Sequence, residues 1–292
     1  MKQFWVMILA GFVWMHAAML HAGLFSDRFP SARFTAMGGS GVAVANDVWA
    51  AFYNPAGLSR VERLQVGSSY LRLFNAPFLT SVFGSGVYPL SRNFGTVSLG
   101  FEYFGVNYEG NQISGEYTFQ FSHGFFLLKD IHSSLAIGYS VKGYYWTLGQ
   151  SLEYGNLGSA ATLGLDVGLQ ASVYGRTYIG VYLMNVNTPK IGAYTRFDLP
   201  QRVVVGMAYE PYDGVVTSLD LNRVIGTDHV QVWAGAEFNL FRNLFLRFGG
   251  TTNPNRFSFG FGLYVAQIRL DYALITHNEL GETHQIGFQF EM

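Results

Sequence analysis

The chain has 292 residues, of which 13% are charged and 17% aromatic, with 35 glycines, no cysteine and a formal net charge of −1. A charged fraction about half that of ordinary soluble domains argues against a freely soluble enzyme, and the near-zero net charge offers no basic field to nucleic acid. The lack of cysteine excludes disulfide scaffolds, thiolate metal sites and cysteine nucleophiles, and 49% hydrophobic residues exclude disorder.

Residues 1–22 carry Lys2, an apolar run from Phe4 to Met15, then small residues up to Ala22. This pattern predicts a secretory signal cleaved after Ala22. The alternative, a membrane anchor, is disfavoured because His16 and His21 hold the apolar run below the roughly 20 residues a span needs.

Residues 23–62 form a second region that does not alternate. Within it, residues 43–45 and 47–53 suit short helical turns of small residues, broken at Asn54-Pro55 because proline moves its predecessor out of the helical region. Gly38, Gly39 and Gly41 permit tight turns and close backbone approach.

From residue 63 to residue 292 the chain alternates with period two. Ala161, Leu163, Leu165, Val167, Leu169, Ala171 and Val173 interleave with Thr162, Gly164, Asp166, Gly168, Gln170 and Ser172. Residues 230–240 and 256–265 repeat the pattern, and the strand charges fall in the polar phase, among them Glu102, Lys142, Asp166, Glu237, Arg247, Arg256, Arg269 and Asp271. Counting segments between turns predicts about 14 strands of roughly 9 to 14 residues, lengths that cross a bilayer when tilted. The first two, at 63–74 and 79–90, alternate poorly, so their register stays open. Minimal links, such as 91–92, 129–130, 175–176, 212–213 and 242–243, take turns with longer ones at 106–113, 148–157, 188–199, 223–227 and 277–283. That asymmetry marks an outer-membrane barrel, with the short turns periplasmic. A soluble β-sandwich alternates too, but its solvent face would carry more Lys and Glu than this Gly-, Ser- and Gln-rich phase.

The expected fold is therefore a transmembrane antiparallel β-barrel of about 14 strands, too wide for its own side chains to fill. An N-terminal lumenal hatch is expected to occupy the space. Ala32-Arg33, Ala36-Met37-Gly38-Gly39, Ala43 to Ala45, Asn46-Asp47 and Asn54-Pro55-Ala56-Gly57-Leu58 together resemble the N-terminal signature of the PorV/PorQ family within the FadL-like superfamily. The resemblance spans some thirty residues directly and implies a plug built from Arg33, Met37, Gly38, Gly39, Asp47, Asn54, Pro55, Ala56 and Gly57. It also implies function. FadL-like members pass hydrophobic molecules such as long-chain fatty acids across the outer membrane by diffusion and lateral release, whereas PorV-like members serve type IX secretion. The loop face, with links of only about 4 to 12 residues, is smaller than a typical capture site uses.

Passive transport of small hydrophobic compounds is the expected function, with a non-transport role in type IX secretion or envelope assembly as the alternative. The expected partners are outer-membrane lipid, hydrophobic small molecules or secretion-system proteins, and the outer-membrane assembly machinery. The last is expected because residues 284–292 alternate Ile286, Phe288, Phe290 and Met292 as a C-terminal strand signal does. No cofactor, metal or catalytic constellation is expected: His123, His132, His229, His277 and His284 lack the paired spacing of a metal site. Arg247, Arg256, Arg269 and Asp271 should point inward, either as a neutralised network fastening the hatch to the wall or as an electropositive path. Tyr144, Trp146, Tyr194 and Trp233 are expected mainly in interfacial girdles or rim packing, and otherwise along a conduit.

Overall fold

The computed structural model describes residues 24–292 apart from Asp27, Arg92, residues 152–154, residues 193–194 and His229. The expected signal segment, Tyr194 and His229 lie outside the described residues. Alternating sequence becomes alternating burial: in the strand Ser159–Val173, Asp166, Gly168 and Gln170 turn inward while Leu163, Leu165 and Leu169 are exposed.

Fourteen such strands close into one antiparallel barrel. They are β1 (Gln65–Arg72), β2 (Leu79–Ser91), β3 (Gly95–Tyr108), β4 (Asn111–Lys129), β5 (Ser133–Leu148), β6 (Ser159–Val173) and β7 (Thr177–Met184). The rest are β8 (Arg202–Tyr212), β9 (Val215–Val224), β10 (Val230–Phe241), β11 (Leu244–Thr251), β12 (Arg256–Val265), β13 (Ile268–Ile275) and β14 (Thr283–Glu291). Each pairs with the next, and β1 closes the ring on β14 with Ser68 opposite Phe288. Large apolar side chains such as Leu99, Phe119, Leu163, Leu219, Phe259 and Ile286 stand exposed around the outside. A continuous apolar belt is unfavourable in water and is what a bilayer requires. Among the described residues no helix is long and apolar enough to cross a membrane.

The rims differ as the turn chemistry suggests, with one expected link overturned. Residues 106–113 are strand almost throughout, and Tyr108 pairs with Asn111 across a turn at Glu109 and Gly110. Asn107, Asn111 and Gln112 dilute the apolar signal there, but backbone pairing depends on neither. Conversely the link from β7 to β8, residues 185–201, exceeds the expected loop length and carries a small hairpin pairing Lys190 with Asp198.

The register of β1 and β2 also acquires a reason. Leu71, Phe83 and Val87 point inward, while Gly84 and Gly86 take the outer phase. Apolar residues are stable on this stretch of lumen wall because Val48, Trp49 and Ala51 pack against them from inside. The wall thus exchanges its usual polar phase for a second apolar contact, which blurs the alternation.

The N-terminal segment holds two short helices, α1 (Ala32–Ala36) and α2 (Ala50–Tyr53), then a 3-10 helix at Pro55–Arg60. Helix α1 is absent from the sequence expectation. Residues 41–45 form a single turn closed by the Ala45 amide on the Gly41 carbonyl at 2.8 Å.

Candidate functional site: the filled lumen

The inside of this barrel is a packing problem, since about eight strands is the limit that wall side chains fill alone. Residues 28–62 supply the missing volume. Phe34, Met37, Val48, Trp49 and Leu58 are fully buried among wall residues. Wall glycines let the segment come close. A methyl group at Gly138 would strike the Pro55 carbonyl, and one at Gly249 would strike the Gly38 amide. Gly38 itself has φ +70, the left-handed region where a side chain is strained.

Burying a non-sheet segment leaves peptide groups that need partners. Polar-phase side chains of the wall provide them. Asp220 Oδ2 accepts from the Gly41 and Val42 amides at 2.8 and 3.0 Å. Ser258 Oγ accepts from the Gly38 amide and donates to the Ala36 carbonyl, both at 3.0 Å. Gln120, Gln170 and Gln285 donate to the carbonyls of Ala51, Val42 and Phe29 at 2.7, 3.0 and 2.9 Å. These wall amides and hydroxyls were not singled out from sequence, because only their phase, not their partner, is visible there.

Asn54 does most of the local organising. Its backbone is extended, and its Oδ1 accepts from the Ala56 amide at 3.1 Å, capping the 3-10 helix that Pro55 begins. Its Nδ2 donates to Val42 O within the segment and to Leu169 O on β6, each at 2.9 Å. One fully buried side chain therefore joins two parts of the segment and the wall. Gly57 sits against the Ala45 carbonyl, which a side chain would strike.

The charged candidates sort into three groups. Arg33 of α1 makes a two-pronged bond to Glu237 at 2.8 and 3.0 Å and a third contact to Asp47 at 3.2 Å. Glu237 also receives Arg247 at 2.6 Å, Arg247 reaches Asp271 at 2.7 Å, and Arg269 joins Asp271 at 3.1 Å. In the second group Lys142 and Asp166 pair at 2.6 Å, with the Tyr182 hydroxyl and the Asn185 amide donating to the same carboxylate. In the third, Glu102 and Glu116 share Arg28 at 2.7 and 2.8 Å. Arg256 belongs to none of them. It begins β12 opposite Thr251, on the loop side, away from the Arg247 cluster it was grouped with by sequence.

On the loop side an apolar cluster lies beside the Arg28 group, with Glu116 opposite Trp146 in register. Phe25 stacks edge-on to Tyr144 at 4.9 Å, in a cluster with Leu24, Trp146, Ile191 and Leu199. Trp233 meets Phe29 at 5.2 Å. Tyr144, Trp146 and Trp233 thus face inward rather than serving as girdle residues. The outward tyrosine row is instead Tyr103, Tyr117 and Tyr145, with ring centroids 5.0 and 5.9 Å apart. Tyrosine phase within each strand could have separated the two sets. Among the described residues no His, Asp and Glu side chains gather into a group able to hold a metal ion.

No protein-family model and no curated protein matches the chain. Solved structures do. The P. putida toluene transporter TodX aligns with TM-score 0.64 at 14% identity, covering 91% of this chain and 99% of that one. The Ralstonia pickettii toluene transporter TbuX aligns at 0.60 and 14%, covering 90% and 98%. A Pseudomonas aeruginosa FadL homologue aligns at 0.53 and 11%, covering 92% and 98%. The chain shares their barrel fold.

Proposed function

We propose that the chain is an outer-membrane channel for passive transport of small hydrophobic compounds, closed to water by its N-terminal segment. The observation that carries this reading is the apolar cluster of the loop-side lumen, where Tyr144, Trp146, Ile191 and Leu199 meet Leu24 and Phe25 of a segment buried against the wall. A small apolar solute exchanges water for aromatic surface there. The toluene transporters that share the fold support the same solute class. In this reading residues 1–22 are removed on export, 23–62 form the hatch and 63–292 the barrel, which the assembly machinery recognises through β14. The resemblance of residues 31–58 to the PorV/PorQ signature concerns the hatch sequence, and no feature among the described residues favours the type IX secretion reading.

Uptake is the test. Expressed in an outer membrane lacking other hydrocarbon channels, the protein should accelerate initial uptake of radiolabelled toluene several-fold and leave sugar uptake at the vector rate. Toluene uptake at the vector rate, or equal acceleration of both solutes, would overturn the proposal.

A further inference from the structure

Among the described residues three buried ionic contacts join the N-terminal segment to the wall, beside an exposed one from Glu62 to Lys129 at 3.9 Å, and the buried ones divide unequally. At Arg28 the segment contributes one positive charge to two wall carboxylates, Glu102 and Glu116. Withdrawing Arg28 would strand two negative charges inside the lumen. At Arg33 the division is even. The segment carries Arg33 and Asp47, bonded to each other at 3.2 Å, and the wall carries Arg247, Arg269, Glu237 and Asp271. Each half sums to zero. Among the described residues the links across the boundary in this cluster are the two Arg33–Glu237 bonds.

We propose that this cluster is a charge-balanced latch, at which the segment's Arg33–Asp47 pair and the wall's Arg247, Arg269, Glu237 and Asp271 part as two neutral groups. The inference rests on the reading of residues 31–58 as a hatch and goes beyond it by naming where it parts and where it stays anchored. Buried charge is costly when unpaired and far less so when its partner travels with it. Arg33 keeps Asp47 on departure, with Asn46 as a second acceptor at 3.3 Å. Glu237 keeps Arg247 and Arg269. The wall half is also held in place without the segment: Gly262 leaves room where Arg247 and Asp271 meet, and the Phe245 ring lies beneath both arginines, 5.6 and 5.2 Å away. Gln289 completes it with a 3.3 Å bond to Asp271. Arg28, lacking such balance, stays with the wall and sets the hinge.

The native chain has no cysteine, so a single one reports cleanly. Ala43→Cys in the moving stretch and Phe25→Cys ahead of the hinge are each placed in the complete protein, reconstituted in liposomes, and labelled with a charged maleimide. Adding Glu237→Gln removes the wall's hold on Arg33 and leaves two arginines facing one carboxylate, so labelling at position 43 should rise at least tenfold. Adding Asp47→Asn leaves a departing Arg33 without its own counter-charge, so labelling at 43 should fall several-fold below the unmodified background. Labelling at 25 should stay unchanged in both. The latch is refuted if Asp47→Asn labels at or above the background rate, if folded Glu237→Gln fails to raise labelling at 43, or if position 25 responds with position 43. Should Glu237→Gln not fold, the direction of Asp47→Asn alone decides. Because labelling needs no transported solute, its failure is distinguishable from failure of the uptake assay.

Discussion

Replacing Asn54 by alanine removes an acceptor for the Ala56 amide at 3.1 Å and a donor to the carbonyls of Val42 and Leu169 at 2.9 Å, all from a side chain with no exposed surface. The Val42 carbonyl retains Gln170 at 3.0 Å, so its loss is partial. The Ala56 amide has no such substitute among its side-chain bonds. A typical bond contributes about 0.5–1.5 kcal/mol and a stranded buried group costs about 1–3, which gives about 2–4 kcal/mol for the substitution. At about 1.4 kcal/mol per tenfold, opening of the segment should become roughly thirty- to several-hundred-fold more frequent. Amide hydrogen exchange read by mass spectrometry in detergent micelles measures this directly, because opening frees residues 42–57 while the strands keep their ladder bonds. Asn54→Asp should open at least as far, since a carboxylate cannot donate to the two carbonyls and would face them as a buried anion. Exchange of residues 42–57 within about twofold of native, roughly 0.4 kcal/mol, would refute the reasoning. Equal acceleration in the strands would refute it too, by showing that Asn54 supports the barrel rather than the segment.

Leu219 lies 44% exposed on the outer face of β9 beside inward-facing Asp220. Leu219→Arg should cost about 2–4 kcal/mol of barrel stability in lipid, read from denaturant midpoints, and an unchanged midpoint would reject the assigned outer face. Asp166→Asn should be equally severe, about 3–5 kcal/mol, because it leaves Lys142 buried without its carboxylate partner; a midpoint close to native would show the pair to be dispensable. His277, in the link before β14, is held down to about pKa 4 by burial and by the charge of Arg256, against the pull of Glu282. Its ring lies 4.7 Å from Phe74 and bonds Thr283 at 2.9 Å. The contribution of this contact is therefore complete above the ordinary histidine value of about 6.5 and should be lost progressively as pH falls toward 4. Exchange protection around residues 74 and 277 should decline over that window, and a flat profile would contradict it.

Phase made most of the wall legible in sequence, since a side chain's face in a strand follows from its parity. Glu237, Arg247, Arg269 and Asp271 could be placed in the lumen from parity alone. Their partner Arg33 could not, because it lies 204 residues from Glu237 and no spacing rule links a hatch helix to a distant strand. Gly260, in the polar phase, sits against Ala36, but parity does not say which segment approaches. Asp166 shows the same limit. As a lone lumen carboxylate it looks replaceable, and only the fold brings Lys142, Tyr182 and Asn185 to it. Parity failed on β2, where Phe83 and Val87 answer to Trp49 rather than to water or lipid.

Ion conductance across a planar bilayer, measured for the intact protein and for a variant lacking residues 31–58, tests most directly whether this segment closes the barrel to water. A fourteen-strand lumen emptied of its filling should hold a continuous water path. The intact protein should then conduct little, and the shortened one should open stable steps of much larger conductance. Equal conductance from the two, with both inserted and heat-modifiable in detergent gels, would contradict the account.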